Sequence, residues 1–147
     1  KEKYELSKND NLKKYEIKRE EIDVDIYVPF FSKLAIPLNE INIYTTKIEN
    51  FDVVKAELLL VLKQGAEQDR ENSVKGQKDR IDIMTLLFYA DINLEEYNKI
   101  LNKYKIRHFY ARLKNIISNF KEVKYLNMNP REFKLKKQDI LKKLKEV

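Results

Sequence analysis

The chain has 147 residues, with 30 Lys and Arg against 24 Asp and Glu, one His, no Cys, no Trp and two Gly. That length fits one ordinary domain, or a small domain with a helical appendage, and an apolar fraction of 43% supports a real core despite 37% charge. Without Cys there is no disulfide, thiolate metal site or Cys nucleophile, one His builds no two-His motif, and Gly65 and Gly76 alone form neither a P-loop nor a dinucleotide fingerprint, so any chemistry rests on carboxylates, Lys, Arg, hydroxyls and Tyr.

No apolar run reaches the roughly 20 residues that span a bilayer, and the charged first twenty residues hold no apolar signal segment. The expectation is a cytoplasmic chain that does not enter a membrane. The chain opens on Lys rather than Met, which fits a missing upstream portion.

Residues 12–18 read as a strand, joined by a turn near Arg19–Glu20 to a second strand over 21–28. That second strand alternates strictly, with Ile22, Val24, Ile26 and Val28 on one face and Asp23, Asp25 and Tyr27 on the other. Pro29 ends it, having no N–H for a ladder. Residues 41–48 are rich in β-branched side chains and predict a further strand, followed by a short extended piece at 51–54.

From Lys55 the period becomes helical. A helix over 55–70 places Leu58, Leu59, Leu62 and Ala66 on one stripe, and a polar loop over 71–77 separates it from a helix over 79–90 with Ile83, Leu86, Leu87 and Ala90 inward. Asn93 is the expected N-cap of the next helix, with Glu96 as its capping-box partner and Leu94, Tyr97, Leu101 and Tyr104 inward. Two more helices follow near 107–120 and 130–146, the last opened by Pro130. The fold class is α+β, a small mixed or antiparallel sheet region (1–54) followed by a helical bundle (55–147).

The charge is uneven. Residues 99–124 hold eight cations against Glu122 alone, and residues 131–147 hold seven against Glu132, Asp139 and Glu146. Such a basic third suits a polyanion, and equally a solvated face of a Lys-rich protein. Tyr97, Tyr104 and Tyr110 interleave with these cations and read as core rings with wet hydroxyls or as stacking platforms. His108 reads as a half-buried or surface residue. The final helix is expected to dock on its own domain.

Two constellations stand out. Asp23 and Asp25 project from one strand face roughly 6–7 Å apart, a spacing that can hold a hard cation such as Mg²⁺, although a bare D-x-D on a strand more commonly marks a wet sheet face. Lys63, Ala66 and Arg70 share one helix face, and Asp79 and Asp82 lie one turn apart at the start of the following helix, where carboxylates also suit the positive helix end.

The strand with Asp23-Val24-Asp25, the Pro-containing loop, the short strands, the helix Leu58-Leu59-Leu60-Val61-Leu62-Lys63, the Gly-containing loop and then Lys78-Asp79-Arg80-Ile81-Asp82-Ile83 follow one another in order. This order resembles the C-terminal two-thirds of a nucleotidyltransferase domain of the DNA polymerase beta superfamily, with its closest likeness to small prokaryotic members such as the abortive-infection toxin type. The resemblance runs from Leu12 to Leu87. It implies Mg²⁺-dependent transfer of a nucleotide from an NTP to an RNA or protein hydroxyl. Asp25, with Asp23 as first alternate, would hold the metal or help activate the hydroxyl. Lys63 would neutralise the triphosphate and Asp79 would orient Lys63 or the nucleotide, with Arg70, Lys78 and Asp82 as further nucleotide contacts. The superfamily's opening Gly-Ser turn and first D-x-D strand are not found among these residues; the expectation is that they lie upstream, come from another chain, or are lost in a non-catalytic version. The competing expectation is a non-catalytic module that binds RNA or a partner protein through the basic helices 99–124 and 131–147.

Overall fold

The computed structural model describes residues 5–19 and 22–146, and within them the chain is α+β. Strands β1 (Glu5–Asn9), β2 (Lys14–Arg19) and β3 (Ile22–Ile26) form an antiparallel sheet in that order. Glu20 of the expected β2–β3 turn lies outside the described residues. A second antiparallel sheet is the hairpin β4 (Thr45–Ile48) and β5 (Phe51–Val54). Five helices follow: α1 (Ala56–Asp69), α2 (Val74–Tyr89), α3 (Leu94–Lys103), α4 (His108–Asn119) and α5 (Pro130–Glu146).

The chain divides into two compact units between Ile43 and Tyr44. The division precedes the hairpin instead of following it. The Lys55 N–H donates to the Tyr44 carbonyl at 2.8 Å, and the Tyr44 ring meets the Tyr104 ring edge-on at 6.3 Å, so the hairpin begins already tied to the helices.

Local differences from the sequence expectation have local causes. Residues 41–44 are not strand but the end of a 3-10 turn, Leu38–Tyr44. It starts where the Glu40 N–H donates to the Pro37 carbonyl, and this i to i+3 pattern outweighs the weak β preference of Ile41 and Ile43. Helix α2 starts at Val74, inside the stretch expected to be loop. Ser73 caps it, accepting from the Gly76 N–H at 3.1 Å while its hydroxyl donates to the Arg70 carbonyl at 2.7 Å. Asn93 caps α3 as expected, accepting from the N–H groups of Glu95 and Glu96. The reciprocal half of the box comes from elsewhere: Glu57 of α1 accepts the Asn93 N–H at 2.8 Å, while Glu96 pairs with Lys99.

In the first unit the register sets Leu6, Ile17 and Val24 in one cross-strand row and Ser7, Glu16 and Asp25 in the next, so alternate rows face opposite sides of the sheet. The apolar side is exposed at Leu6, Ile22 and Val24, where sequence alternation alone reads as a core face. In the second unit the buried residues include Leu58, Leu60 and Val61 of α1, Ile83, Met84 and Phe88 of α2, Tyr97, Ile100 and Leu101 of α3, and Leu113, Ile116 and Ile117 of α4. Leu59, Leu62 and Ala66 are only half-buried, because α1 turns Gln64 and Glu67 inward instead.

Gly76 is where α2 comes closest to the end of α1. A Cβ there would lie 2.2 Å from the Arg70 carbonyl oxygen. Replacing a helical Gly by Ala ordinarily stabilises by about 1 kcal/mol; here the collision reverses the sign. Gly76→Ala is expected to lower stability by about 1–3 kcal/mol, the usual cost of overpacking, as measured by urea unfolding of the whole chain.

Candidate functional site

Helices α1 and α2 run antiparallel and are laced by acid–base pairs. Lys63 Nζ lies 2.6 Å from Asp82 Oδ2. About two turns further along, at the C-cap of α1, Arg70 grips Asp79 with two bonds, Nε to Oδ2 at 2.5 Å and Nη2 to Oδ1 at 2.9 Å. As α1 advances from 63 to 70, α2 retreats from 82 to 79, so the two pairs form two rungs of one ladder. They differ in setting. Asp79 is 2% exposed, whereas the side chains of Lys63 and Asp82 are 34% and 47% exposed. Four of the sequence-predicted residues are therefore brought together, and Lys78 is exposed beside them on α2. The partner of Lys63 is Asp82, and the partner of Asp79 is Arg70.

Between these rungs, but turned toward α4, lies a carboxylate that sequence reasoning missed. Glu67 is 1% exposed. Arg80 of α2 reaches its Oε1 at 2.9 Å, and Arg112 of α4 reaches its Oε2 through Nε at 2.7 Å and Nη2 at 2.6 Å. Glu71 adds a second carboxylate 3.2 Å from Arg112 Nη2, and the Glu71 carbonyl accepts from Arg80 at 3.0 Å. Burial works to lower the Arg112 pKa, but the bonds to Glu67 and Glu71 outweigh it and hold the guanidinium above its ordinary value. Beside this cluster is a cleft of about 300 Å³, with Ile116, Phe120 and Asn119 among its walls. Glu122 lines it too; burial pushes its pKa up, but the Lys121 N–H, Gln77 and Arg80 prevail and it lies below the ordinary glutamate range. The sequence signal for the cluster was a carboxylate four residues after Lys63 on α1, with Arg80 set between Asp79 and Asp82.

Deeper in the same unit, the Tyr97 hydroxyl donates to Gln64 Oε1 at 2.6 Å, and Gln64 Nε2 donates to the Phe109 carbonyl at 2.8 Å. Burial pushes the Tyr97 phenol well above its ordinary pKa, against the bond to Gln64. Tyr97 is therefore core, while Tyr104 and Tyr110 are half-buried. His108 is exposed, with Nε2 3.2 Å from Gln68 Oε1.

Asp23 and Asp25 belong to the first unit, on the polar side of the three-stranded sheet, with Lys18 across from Asp23 and Glu16 across from Asp25. Their oxygens are the donors that Mg²⁺ takes. The position beside Asp25 is already filled: Lys14 Nζ lies 2.7 Å from Asp25 Oδ2 and 3.0 Å from Glu16 Oε1. With Lys14 there, Asp25 and Glu16 do not fit a divalent ion between them.

The basic third of the chain is partly committed to the fold. Lys137 donates to the Ser118 carbonyl at 2.7 Å near the end of α4, and Lys136 to the Phe88 carbonyl at 3.3 Å near the end of α2. Other lysines lie over rings, Lys136 over Tyr89 at 4.7 Å and Lys124 over Tyr125 at 4.9 Å. No helix among the described residues is long and apolar enough to cross a membrane. No family model, curated protein or solved structure matches the chain.

Removing a buried carboxylate that neutralises two arginines costs about 3 kcal/mol or more, whereas an exposed pair contributes about 1 kcal/mol or less. Glu67→Ala is therefore expected to destabilise the chain far more than Asp82→Ala, with both read from denaturant midpoints.

Proposed function

We propose that this chain is a nucleotidyltransferase-fold protein whose α1–α2 face contacts the phosphates of an NTP, in a transfer of its nucleotidyl group to an RNA or protein hydroxyl. The observation that carries this reading is the two-rung ladder. It holds a half-exposed ammonium and a half-exposed guanidinium about two turns apart on one helix face, each set by an aspartate of the next helix. Phosphoryl-type transfer depends mostly on positioning and charge neutralisation, which is what such a pair supplies. Arg70 is the fixed member, because its partner is buried and grips it twice. Lys63 is the adaptable member, because its bond to Asp82 is exposed and a phosphate can compete for it. In this reading Asp79 positions Arg70, Asp82 positions Lys63, and Lys78 adds positive charge at the edge.

A charge-assisted phosphate contact is worth about 1.5–3 kcal/mol, so Lys63→Ala is expected to weaken binding of a fluorescent ATP analogue about tenfold or more. Lys99→Ala, which removes an exposed lysine paired within α3, is the control expected to change nothing. Equal binding by wild type and Lys63→Ala would remove the assignment.

A second reading is favoured by one observation, the two exposed tyrosines near the start of α5. Tyr89 is anchored by its hydroxyl to the Leu126 carbonyl at 2.5 Å, and Tyr125 precedes that residue, each with a lysine over its ring. Rings among cations can stack unpaired bases. On this reading the chain is a non-catalytic RNA-binding module, and Tyr125→Ala lowers affinity for a single-stranded RNA oligonucleotide by about 1–3 kcal/mol while leaving nucleotide binding unchanged, in paired fluorescence titrations.

A further inference from the structure

We propose that the Lys14 ammonium occupies the place of a divalent cation on the polar side of the β1–β3 sheet, so that Asp25 and Glu16 are neutralised from within and take no metal while Lys14 is present. The registry produces this arrangement. Lys14 and Glu16 are two residues apart on β2 and therefore project to the same side, and Asp25 of β3 sits directly across from Glu16. The lysine stem reaches diagonally over one rung and sets Nζ between the two carboxylates, 2.7 Å from Asp25 Oδ2 and 3.0 Å from Glu16 Oε1. Asn9, across from Lys14 on β1, donates to the same Glu16 oxygen at 3.2 Å and helps fix that carboxylate.

The lysine is held closely, with its side chain only 11% exposed. Burial works to lower its pKa, yet the bonds to Asp25 and Glu16 prevail and raise it, so the ammonium is not lost by titration near neutrality. The bond from Lys14, helped by Asn9, holds Glu16 below the ordinary glutamate range. A magnesium ion needs oxygens at about 2.0–2.1 Å and keeps several waters. An ammonium within hydrogen-bond distance of both carboxylates excludes it by volume and by like charge. The next row repeats the logic, with Lys18 set between Glu5 and Asp23 in the registry.

The inference stands apart from the nucleotide reading, because it is tested with metal alone. Mn²⁺ is titrated into the full chain and followed by electron paramagnetic resonance, for wild type, Asp25→Asn, Lys14→Met and the Lys14→Met/Asp25→Asn double variant. Methionine keeps the length of the stem and removes the charge. Wild type and Asp25→Asn are expected to give the same titration up to about millimolar Mn²⁺, while Lys14→Met gains one site of about millimolar affinity, in the range of weak carboxylate sites, that the double variant loses. A wild-type site abolished by Asp25→Asn overturns the proposal. So does a Lys14→Met chain of unchanged circular dichroism that gains no site. Should Lys14→Met fail to fold, the comparison of wild type with Asp25→Asn still decides.

Discussion

The second unit depends on one buried carboxylate. Glu67 lies where α1, α2 and α4 meet, and each of its oxygens is taken by an arginine from a different helix. A buried carboxylate is costly unless its partners are in place, so the arrangement admits one register of the three helices and penalises others. The effect reaches the ladder, whose bases flank Glu67 at i−4 and i+3 along α1. At 3.6 residues per turn, Arg80 points away from Asp79 and Asp82. Once Arg80 is committed to Glu67, the two aspartates are turned together toward Arg70 and Lys63. The geometry of the exposed pairs therefore follows from the buried one.

The two rungs differ in strength for the same reason. Arg70 meets an acid that has almost no water around it, and two parallel bonds fix the plane of the guanidinium. Lys63 meets an acid in solvent, where an ion pair contributes little and lysine retains most of its freedom. A ligand phosphate competing for Lys63 replaces a weak contact, while one competing for Arg70 would strip a buried aspartate of its partner. In the proposed reading, a rigid cation about two turns from a yielding one would divide the holding of a flexible polyphosphate between them.

Much of the fold was legible in the sequence, and the failures are informative. Strict alternation placed β3, and Asn93 and Pro130 marked the starts of α3 and α5, because these signals act through the backbone of a few neighbouring residues. Glu67 was not legible, since a glutamate on a helix ordinarily faces water and its two partners lie 13 and 45 residues away in sequence. The early start of α2 was hidden for another reason: Gly76 reads as a loop residue, whereas its role is to let the Arg70 carbonyl approach. Of the candidate residues, Lys63, Arg70, Asp79 and Asp82 do fall on or at the end of two consecutive helices, but Asp79 and Asp82 are the sixth and ninth residues of α2 and not its start, and which acid meets which base depends on how the helices pack. The acid pair on β3 was read without Lys14, because the partner that completes it sits on the neighbouring strand, 11 residues earlier.

The same distinction between committed and available charge applies to the basic third of the chain. Residues 99–147 carry fifteen cations and four acids, an imbalance that by itself suggests a polyanion partner. Several of these cations already act within the fold. Lys136 and Lys137 satisfy carbonyls near helix ends, where backbone acceptors lack intrahelical donors, and Arg112 is consumed by Glu67 and Glu71. Lys143 is paired with Asp139 one turn before it. Exposed cations flank the exposed Tyr125 ring, with Lys121 and Lys124 before it and Arg131 and Lys134 after it, and Lys105, Arg107, Lys142 and Lys145 are exposed elsewhere. The basic surface is therefore smaller than composition implies, and part of it lies on and beside the segment between α4 and α5. That segment belongs to the same unit as the α1–α2 ladder, and a 3-10 turn at Val123–Leu126, tied back to Tyr89 of α2, sets its position relative to that helix. An anionic chain bound there would rest on a surface anchored to the C-terminal end of α2, the helix that also carries Asp79 and Asp82.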